Sequence, residues 1–351
     1  MKTTHTIFFQ DSCDMIDIKT NSIDLVITSP PYPMIEMWDV LFSSQHDNIG
    51  LALKNENGKL AYDLMHENLN EVWKECVRVV KESGVICINI GDATRKIGKT
   101  FQLFPNHVKV SQFFQDNGCI PLPMILWRKP TNSPTKFMGS GMLPTNAYVT
   151  LEHEYILIFR KGKTNRMFEP KSDTRYNSAY FWEERNKWFS DMWEDMRGVS
   201  QTLQNNGDLR ERSAAFPIEL PYRLINMFSV YGDTVLDPFW GTGTTTLASM
   251  ILARNSIGFE FDSEFISIFE GNIKTIKIIN ETINKKRIEA HIDFVEKYSK
   301  RSKVKYISTN YGFPVITSQE QNILFYSIQD KIKDEHTYSL IHKPYEMEDL
   351  E

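Results

Sequence analysis

The run Ile23-Asp24-Leu25-Val26-Ile27 leads straight into Thr28-Ser29-Pro30-Pro31-Tyr32, and no other junction in the chain limits its fold so tightly. A short apolar run closed by turn residues is a buried strand. Two prolines then fix φ and remove two N–H donors, so their neighbours are held stiffly and their carbonyls are left free to accept. Beside those carbonyls stand a small hydroxyl, Ser29, and a planar aromatic ring, Tyr32. Acceptors in line with a stacking face are what an enzyme needs to grip a planar exocyclic amine. Taken alone, the pentapeptide fits equally well a Pro-Pro exit that merely ends a sheet element.

A second segment breaks the tie. Residues Gly232 to Thr246, with Asp237-Pro238-Phe239-Trp240-Gly241-Thr242-Gly243 at their centre, read as turn, short strand, glycine loop and helix start. Such a turn lets backbone amides approach a ligand, and the helix N-terminus behind it favours an anionic group. The dinucleotide fingerprint wants a third glycine where Thr246 stands, and the phosphate-loop pattern wants a lysine where Thr244 stands. The loop therefore suits a small anion such as a carboxylate better than a pyrophosphate. Downstream, Asn255-Ser256-Ile257-Gly258-Phe259-Glu260 reads as the next strand, ending in an acid. An acid about 20 residues past the glycines commonly accepts from ribose hydroxyls. A ligand with both a ribose and a small anion is implied, and S-adenosyl-L-methionine has both.

With these residues in hand, the chain resembles the amino-DNA methyltransferases of prokaryotic restriction–modification systems. Ser29-Pro30-Pro31-Tyr32 and Asp237-Pro238-Phe239-Trp240-Gly241-Thr242-Gly243-Thr244-Thr245 are both similar to motifs of that family. The catalytic tetrapeptide precedes the cofactor loop, which looks like the permuted β-group. Further similarities fall in order: Phe9-Gln10-Asp11, with Gln10 in place of the usual glycine; Glu75 to Lys81 followed by Gly84 to Asn89; Glu152 to Gly162; and Phe216-Pro217 with Leu220. The resemblance covers most of residues 7 to 262 and implies a Rossmann-like α/β fold, with a seven-stranded, mostly parallel sheet and helices on both faces.

It also implies roles. Ser29 Oγ and the Pro30 carbonyl would accept the two hydrogens of the amine and localise its lone pair toward the sulfonium methyl, with Pro31 stiffening the loop and Tyr32 stacking on the base. Because a stacked base hides its amine, the target must leave the duplex. Direct transfer between positioned reactants needs no covalent intermediate. Gly241, Gly243 and Thr244 at the helix start would take the methionine carboxylate, Asp237 the methionyl amino group, Glu260 the ribose and Asp11 the adenine amine, between apolar walls of Phe216, Pro217 and Phe239. Serine at position 29 looks like the N4-cytosine set, whereas adenine-N6 enzymes usually carry Asp or Asn there. The expected product is N4-methylcytosine; the alternatives are N6-methyladenine and a regulator with the same fold that binds DNA without modifying it.

Composition agrees without adding much. The 351 residues carry a formal net charge of −5. Charge is uneven, however: Arg128 to Arg175 holds nine Lys/Arg against four acids, a basic face of the kind that neutralises phosphates. The four cysteines, Cys13, Cys76, Cys87 and Cys119, form no Cys-x-x-Cys pair and suggest neither zinc nor disulfides. None follows a proline, so the nucleophile that cytosine-C5 enzymes use has no candidate. No secretory segment or membrane span is legible, and a cytoplasmic protein is expected, with double-stranded DNA and a cognate restriction endonuclease as partners.

Four regions are expected. Residues 1–160 form the catalytic half, 161–212 a target-recognition insertion (joined by the 129–148 loop), 213–262 the cofactor half, and 263–351 a C-terminal helix with a small appendage. Within them, 33–66 reads as loop covering the site, Glu67–Lys81 as an amphipathic helix, and 263–303 as one long helix. Candidates for base reading are Arg166, Arg175, Arg185, Arg197 and the Gln204-Asn205-Asn206 run.

Overall fold

Ile23–Thr28 is a strand, and every residue of it is buried. In the computed structural model, which describes residues 1–129, 138–196 and 216–347, it lies at the middle of a ten-stranded sheet. The strands are β1 (Lys2–Phe9), β2 (Ile23–Thr28), β3 (Val80–Ile90), β4 (Cys119–Arg128), β5 (His153–Lys161), β6 (Met192–Trp193), β7 (Thr234–Asp237), β8 (Asn255–Glu260), β9 (Tyr326–Asp334) and β10 (Thr337–Pro344). Their spatial order is β6-β4-β5-β3-β2-β7-β8-β1-β10-β9. The run from β4 to β1 is the expected seven-stranded sheet, with β5 alone reversed. Three strands extend it: β6 beside β4, and the β9–β10 hairpin, which pairs antiparallel with β1.

Alternation along β2 sends its side chains to two cores. Leu25 and Ile27 pack with Leu220, Ile225 and Leu247 on one face, and Val26 packs with Trp73, Cys76 and Phe114 on the other. Helices therefore cover both faces, as a parallel sheet requires.

Three expectations need correction. Residues 33–66 are helical rather than loop: a 3-10 turn at Glu36–Trp38, helices Asp39–Gln45 and Asp47–Lys54, and the start of a helix spanning Gly58–Val79. The last was expected to begin at Glu67. It begins earlier because the Asn57 side chain accepts from Leu60 N at 3.1 Å, and Ala61 and Met65 continue the buried stripe of Leu69, Val72, Trp73 and Cys76. Residues 263–303 form two helices, Phe265–Ile273 and Ile276–Ser299. At the break, the Thr275 hydroxyl donates to Asn272 O at 3.2 Å, a back-bond of the kind that bends helices. Finally, the stretch from 304 is no mere appendage, since β9 and β10 belong to the main sheet.

The fold pairs part of the basic stretch internally and gathers another part around a cavity. Lys161 caps Val77 O and Val80 O at 2.7 and 2.8 Å, and Arg166 makes a bidentate pair with Asp233 at 2.6 and 2.8 Å. Arg160, Arg166, Arg175 and Arg185 line a cavity of about 770 Å³ beside Asp24 and Ser83, at the amino-terminal ends of β2 and β3. Trp188 and Trp193 are buried in the main core, and Trp182 stacks on Phe294. Arg197, the Gln204-Asn205-Asn206 run and most of the 129–148 loop's first half lie outside the described residues.

Candidate active site

A cavity of about 640 Å³ opens at the carboxyl ends of β1, β2, β7 and β8. Each strand delivers its residues as it ends: β1 gives Asp11 and Cys13, β2 gives Ser29 to Tyr32, β7 gives Pro238, Phe239 and Gly241, and β8 gives Glu260 to Asp262. Ligands of open α/β sheets bind at this edge. Met37, Trp38 and Phe42 add an apolar wall from the 36–45 segment, which a bidentate pair between Arg95 and Asp39, at 2.7 and 2.6 Å, fixes in place.

Glu260 ends β8 with its carboxylate turned across to the glycine loop. Its Oε2 accepts from Gly241 N at 2.8 Å, and its Oε1 from Phe261 N and Asp262 N at 2.8 and 3.0 Å. Burial raises its pKa, and those three amides oppose the rise. Asp11 is exposed; its Oδ1 accepts from Cys13 N at 2.9 Å. The Cys13 thiol is pushed up to about 11 by burial and by Asp11, so it is a protonated wall and not a nucleophile.

Ser29 and Tyr32 face each other at 3.1 Å, oxygen to oxygen. Tyr32 donates to Glu154 Oε2 at 3.0 Å and accepts from Asn89 Nδ2 at 2.8 Å, while Asn89 also reaches Glu154 at 2.7 Å. Lys129 closes the group on Glu154 Oε1 at 2.6 Å. Burial, then the Glu154 charge, hold the Tyr32 phenol well above its usual value, so it keeps its proton. A side chain at Gly91 would meet Tyr32 Cε2 at 3.0 Å, so the bare glycine makes the bed for the ring.

Of the residues singled out from sequence, Ser29, Pro30, Pro31, Tyr32, Asp11, Phe239, Gly241 and Glu260 share this cavity. Phe216, Pro217, Asp237, Gly243 and Thr244 are not in its wall. Phe216 is buried in the main core with Leu220. Asp237 is 3% exposed and spends both oxygens inside the protein, on Thr28 Oγ1 and Thr245 Oγ1, each at 2.7 Å, and on Phe239 N at 3.1 Å. It clasps the two loops together and does not line the cavity. Gly243 caps the helix Thr244–Ile251 at a φ of 76°, packed against Trp240 and Phe269.

Asn89, Lys129, Glu154 and Phe261 are not singled out by the sequence, whereas Trp38 falls in the segment expected to cover the site. Asn89 carried a signal: a polar residue inside the apolar run of β3, 3% exposed, must have partners. Glu154 opens an apolar strand, and nothing local distinguishes it from a solvated end.

The family model described as DNA methylase, N6_N4_Mtase, matches residues 23–271. The chain belongs to this DNA methylase family. It is 56% identical over 329 residues to the type II methyltransferase M.MthZI of Methanothermobacter thermautotrophicus, covering 93% of this chain and 91% of that one. It is 51% identical over 282 residues to the type II methyltransferase M.MjaI of Methanocaldococcus jannaschii, covering 77% and 91%. Among solved structures, a putative DNA modification methylase of Thermus thermophilus complexed with S-adenosyl-L-methionine superposes with a TM-score of 0.60 at 27% identity, over 78% of this chain and 94% of that one. The PvuII cytosine-N4-specific DNA methyltransferase shares the fold, with a TM-score of 0.52 at 18% identity over 76% and 86%.

This methylase is a type II DNA methyltransferase of the N4/N6 class, and S-adenosyl-L-methionine is its cofactor. The cavity fits that molecule: a carboxylate at the tip of β8, an exposed carboxylate at the tip of β1, the glycine loop at Gly241, and aromatic surfaces from Phe239 and Phe261. When bound, it supplies an electrophilic methyl group. Among the described residues, no helix is long and apolar enough to cross a membrane.

Proposed function

We propose that this methylase modifies the exocyclic N4 of a cytosine flipped out of duplex DNA, as the protecting partner of a restriction endonuclease. The observation that carries the reading is the neutral hydroxyl of Ser29, next to the Pro30 carbonyl, in the same cavity as Gly241 and Glu260. Conjugation with the ring leaves the amine's lone pair poorly available. Two acceptors on its hydrogens turn that lone pair toward the methyl donor, and positioning supplies much of the acceleration. Tyr32 offers a face for the extruded base, whose exit from the duplex the buried target atom demands. Glu260 is proposed to hold the ribose and Asp11 the adenine amine, with the methionine end of the cofactor beside Gly241.

Sequence reading is proposed for residues 161–212, of which 197–212 lie outside the described residues. In support, Met192–Trp193 pairs with Leu126–Trp127 at the carboxyl end of β4 and so returns the chain to the edge that bears the cavity.

Incubation with S-adenosyl-L-methionine and unmethylated bacterial DNA, digestion to nucleosides and mass spectrometry test the proposal. N4-methylcytosine is expected, and Ser29→Ala should lower its yield by roughly 10²-fold or more, as loss of a positioned polar group commonly does. N6-methyladenine as the product would overturn the choice of base.

A further inference from the structure

The hydrogen bonds around Tyr32 fix the direction of a proton that ordinary coordinates leave open. A phenol has one hydrogen to give. Around the Tyr32 oxygen stand Glu154 Oε2 at 3.0 Å, Asn89 Nδ2 at 2.8 Å and Ser29 Oγ at 3.1 Å. A carboxylate only accepts and an amide nitrogen only donates, so the Tyr32 hydrogen goes to Glu154 and Asn89 gives one to Tyr32. The Asn89 orientation is itself set by the network, because its amide nitrogen is also 2.7 Å from Glu154 Oε2, where an amide oxygen would face a carboxylate. Lys129, 2.6 Å from Glu154 Oε1, holds that carboxylate from the far side. With the phenol hydrogen committed, the remaining contact has one sense. Ser29 donates to Tyr32, and the lone pairs of its oxygen are left for an incoming N–H.

We infer that Glu154 is a positioning residue for methyl transfer: through the Tyr32 hydroxyl it orients the Ser29 hydroxyl as an acceptor for the target amine. Without it, the Tyr32 hydrogen is free to turn to Ser29, which would consume a lone pair and point the Ser29 hydrogen at the amine. Asn89 supports the same orientation from the other side, and Lys129 anchors it. This rests on the role proposed above for Ser29.

The test is a cycle of variants read by single-turnover methyl transfer to unmethylated bacterial DNA. Glu154→Met removes the acceptor at similar volume, and Tyr32→Phe removes the hydroxyl while keeping the ring. Each is expected to slow transfer roughly ten- to hundredfold, the range of one charged hydrogen bond, with affinities for S-adenosyl-L-methionine and DNA within about twofold of the parent. The double variant should be no slower than the slower single one, because the effect of Glu154 passes through the phenol alone. Additive losses in the double variant, or an unchanged rate in either single one, would overturn the relay. Should Glu154→Met fail to fold, Asn89→Leu takes its place in the same cycle. Ser29→Ala separates the two levels of the argument. If it transfers at the parent rate, the acceptor role itself falls; if it is slow while Glu154→Met is not, only the relay falls.

Discussion

Asp237 marks how far a residue's chemistry depends on which way its side chain turns. Its position at the end of β7 suits a cavity group, yet three donors hold it inward, and burial pushes its pKa up to about 6. A folded pKa above the unfolded value near 3.8 means that the native state binds the extra proton between those limits. This contribution to stability is whole below about pH 4 and is lost as the pH rises through 6. Asp237→Asn should therefore show its largest deficit relative to the parent below about pH 4, with the gap narrowing by on the order of 2–3 kcal/mol by about pH 7. Urea unfolding at a series of pH values measures it, and a constant gap would exclude the assignment.

In the element that carries the cofactor loop, two glycines answer different demands. Gly241 has a φ of 52° with nothing closer than 4.0 Å to an added Cβ, so its freedom is conformational and its amide is spent on Glu260. Gly243 has a φ of 76°, and an added Cβ would stand 2.5 Å from Phe269 Cδ2 and 2.7 Å from Trp240 Cζ2. Gly243→Ala should cost roughly 2–4 kcal/mol, the sum of left-handed strain and overpacking, whereas Gly241→Ala should cost about 1–2 kcal/mol. Denaturant melts of the two variants rank them, and a Gly241→Ala loss equal to that of Gly243→Ala would contradict this account. A second element-scale joint ties the 161–212 region to the C-terminal half. Arg287, on the helix Ile276–Ser299, makes a double hydrogen bond with Glu184 at 2.6 and 2.7 Å, both nearly buried. Arg287→Met would strand Glu184 and should destabilise by about 3–5 kcal/mol, visible as faster proteolysis between residues 161 and 196.

For the molecule as a whole, the sheet is closed at the β1 edge by residues more than 300 positions away. Thr3, His5 and His342 meet there in a buried chain, with Thr3 Oγ1 2.9 Å from His5 and 2.8 Å from His342. Burial holds His5 down to about 3 and His342 to about 4, and His66, on the other face, to about 4. All three must fold neutral. Their contribution is whole above an unfolded value near 6.5 and drains away as the pH falls toward 4. Three such groups outweigh the opposite trends of Asp237 and Glu260, so the melting temperature should drop steadily between about pH 6.5 and 4; a rise on acidification would sink this reckoning. Removal of residues 326–344 should leave β1 with an unpaired edge and give oligomers or aggregates in size-exclusion chromatography.

What the sequence determined alone were the features written locally. The apolar run ending in Pro-Pro reads as a buried strand with a stiff exit, the Gly-x-Gly after a strand reads as a tight turn into a helix, and Glu260 takes its meaning from the glycines about 20 residues before it. From these, the sheet, the cofactor and the family followed. The tertiary structure decided whatever depended on long-range orientation. Asp237 turned inward because Thr28, 209 residues earlier, and Thr245 offered hydroxyls to a buried carboxylate. Part of the basic stretch turned inward because Arg166 found Asp233 and Lys161 found two helix-end carbonyls. Glu154, 122 residues from Tyr32, acquired its place beside the catalytic loop only because β5 runs antiparallel to β3 and so starts at the edge where β2 and β3 end. A side chain's neighbours along the chain set its backbone, but its hydrogen-bond partners are chosen by strand direction and register, which no single segment encodes.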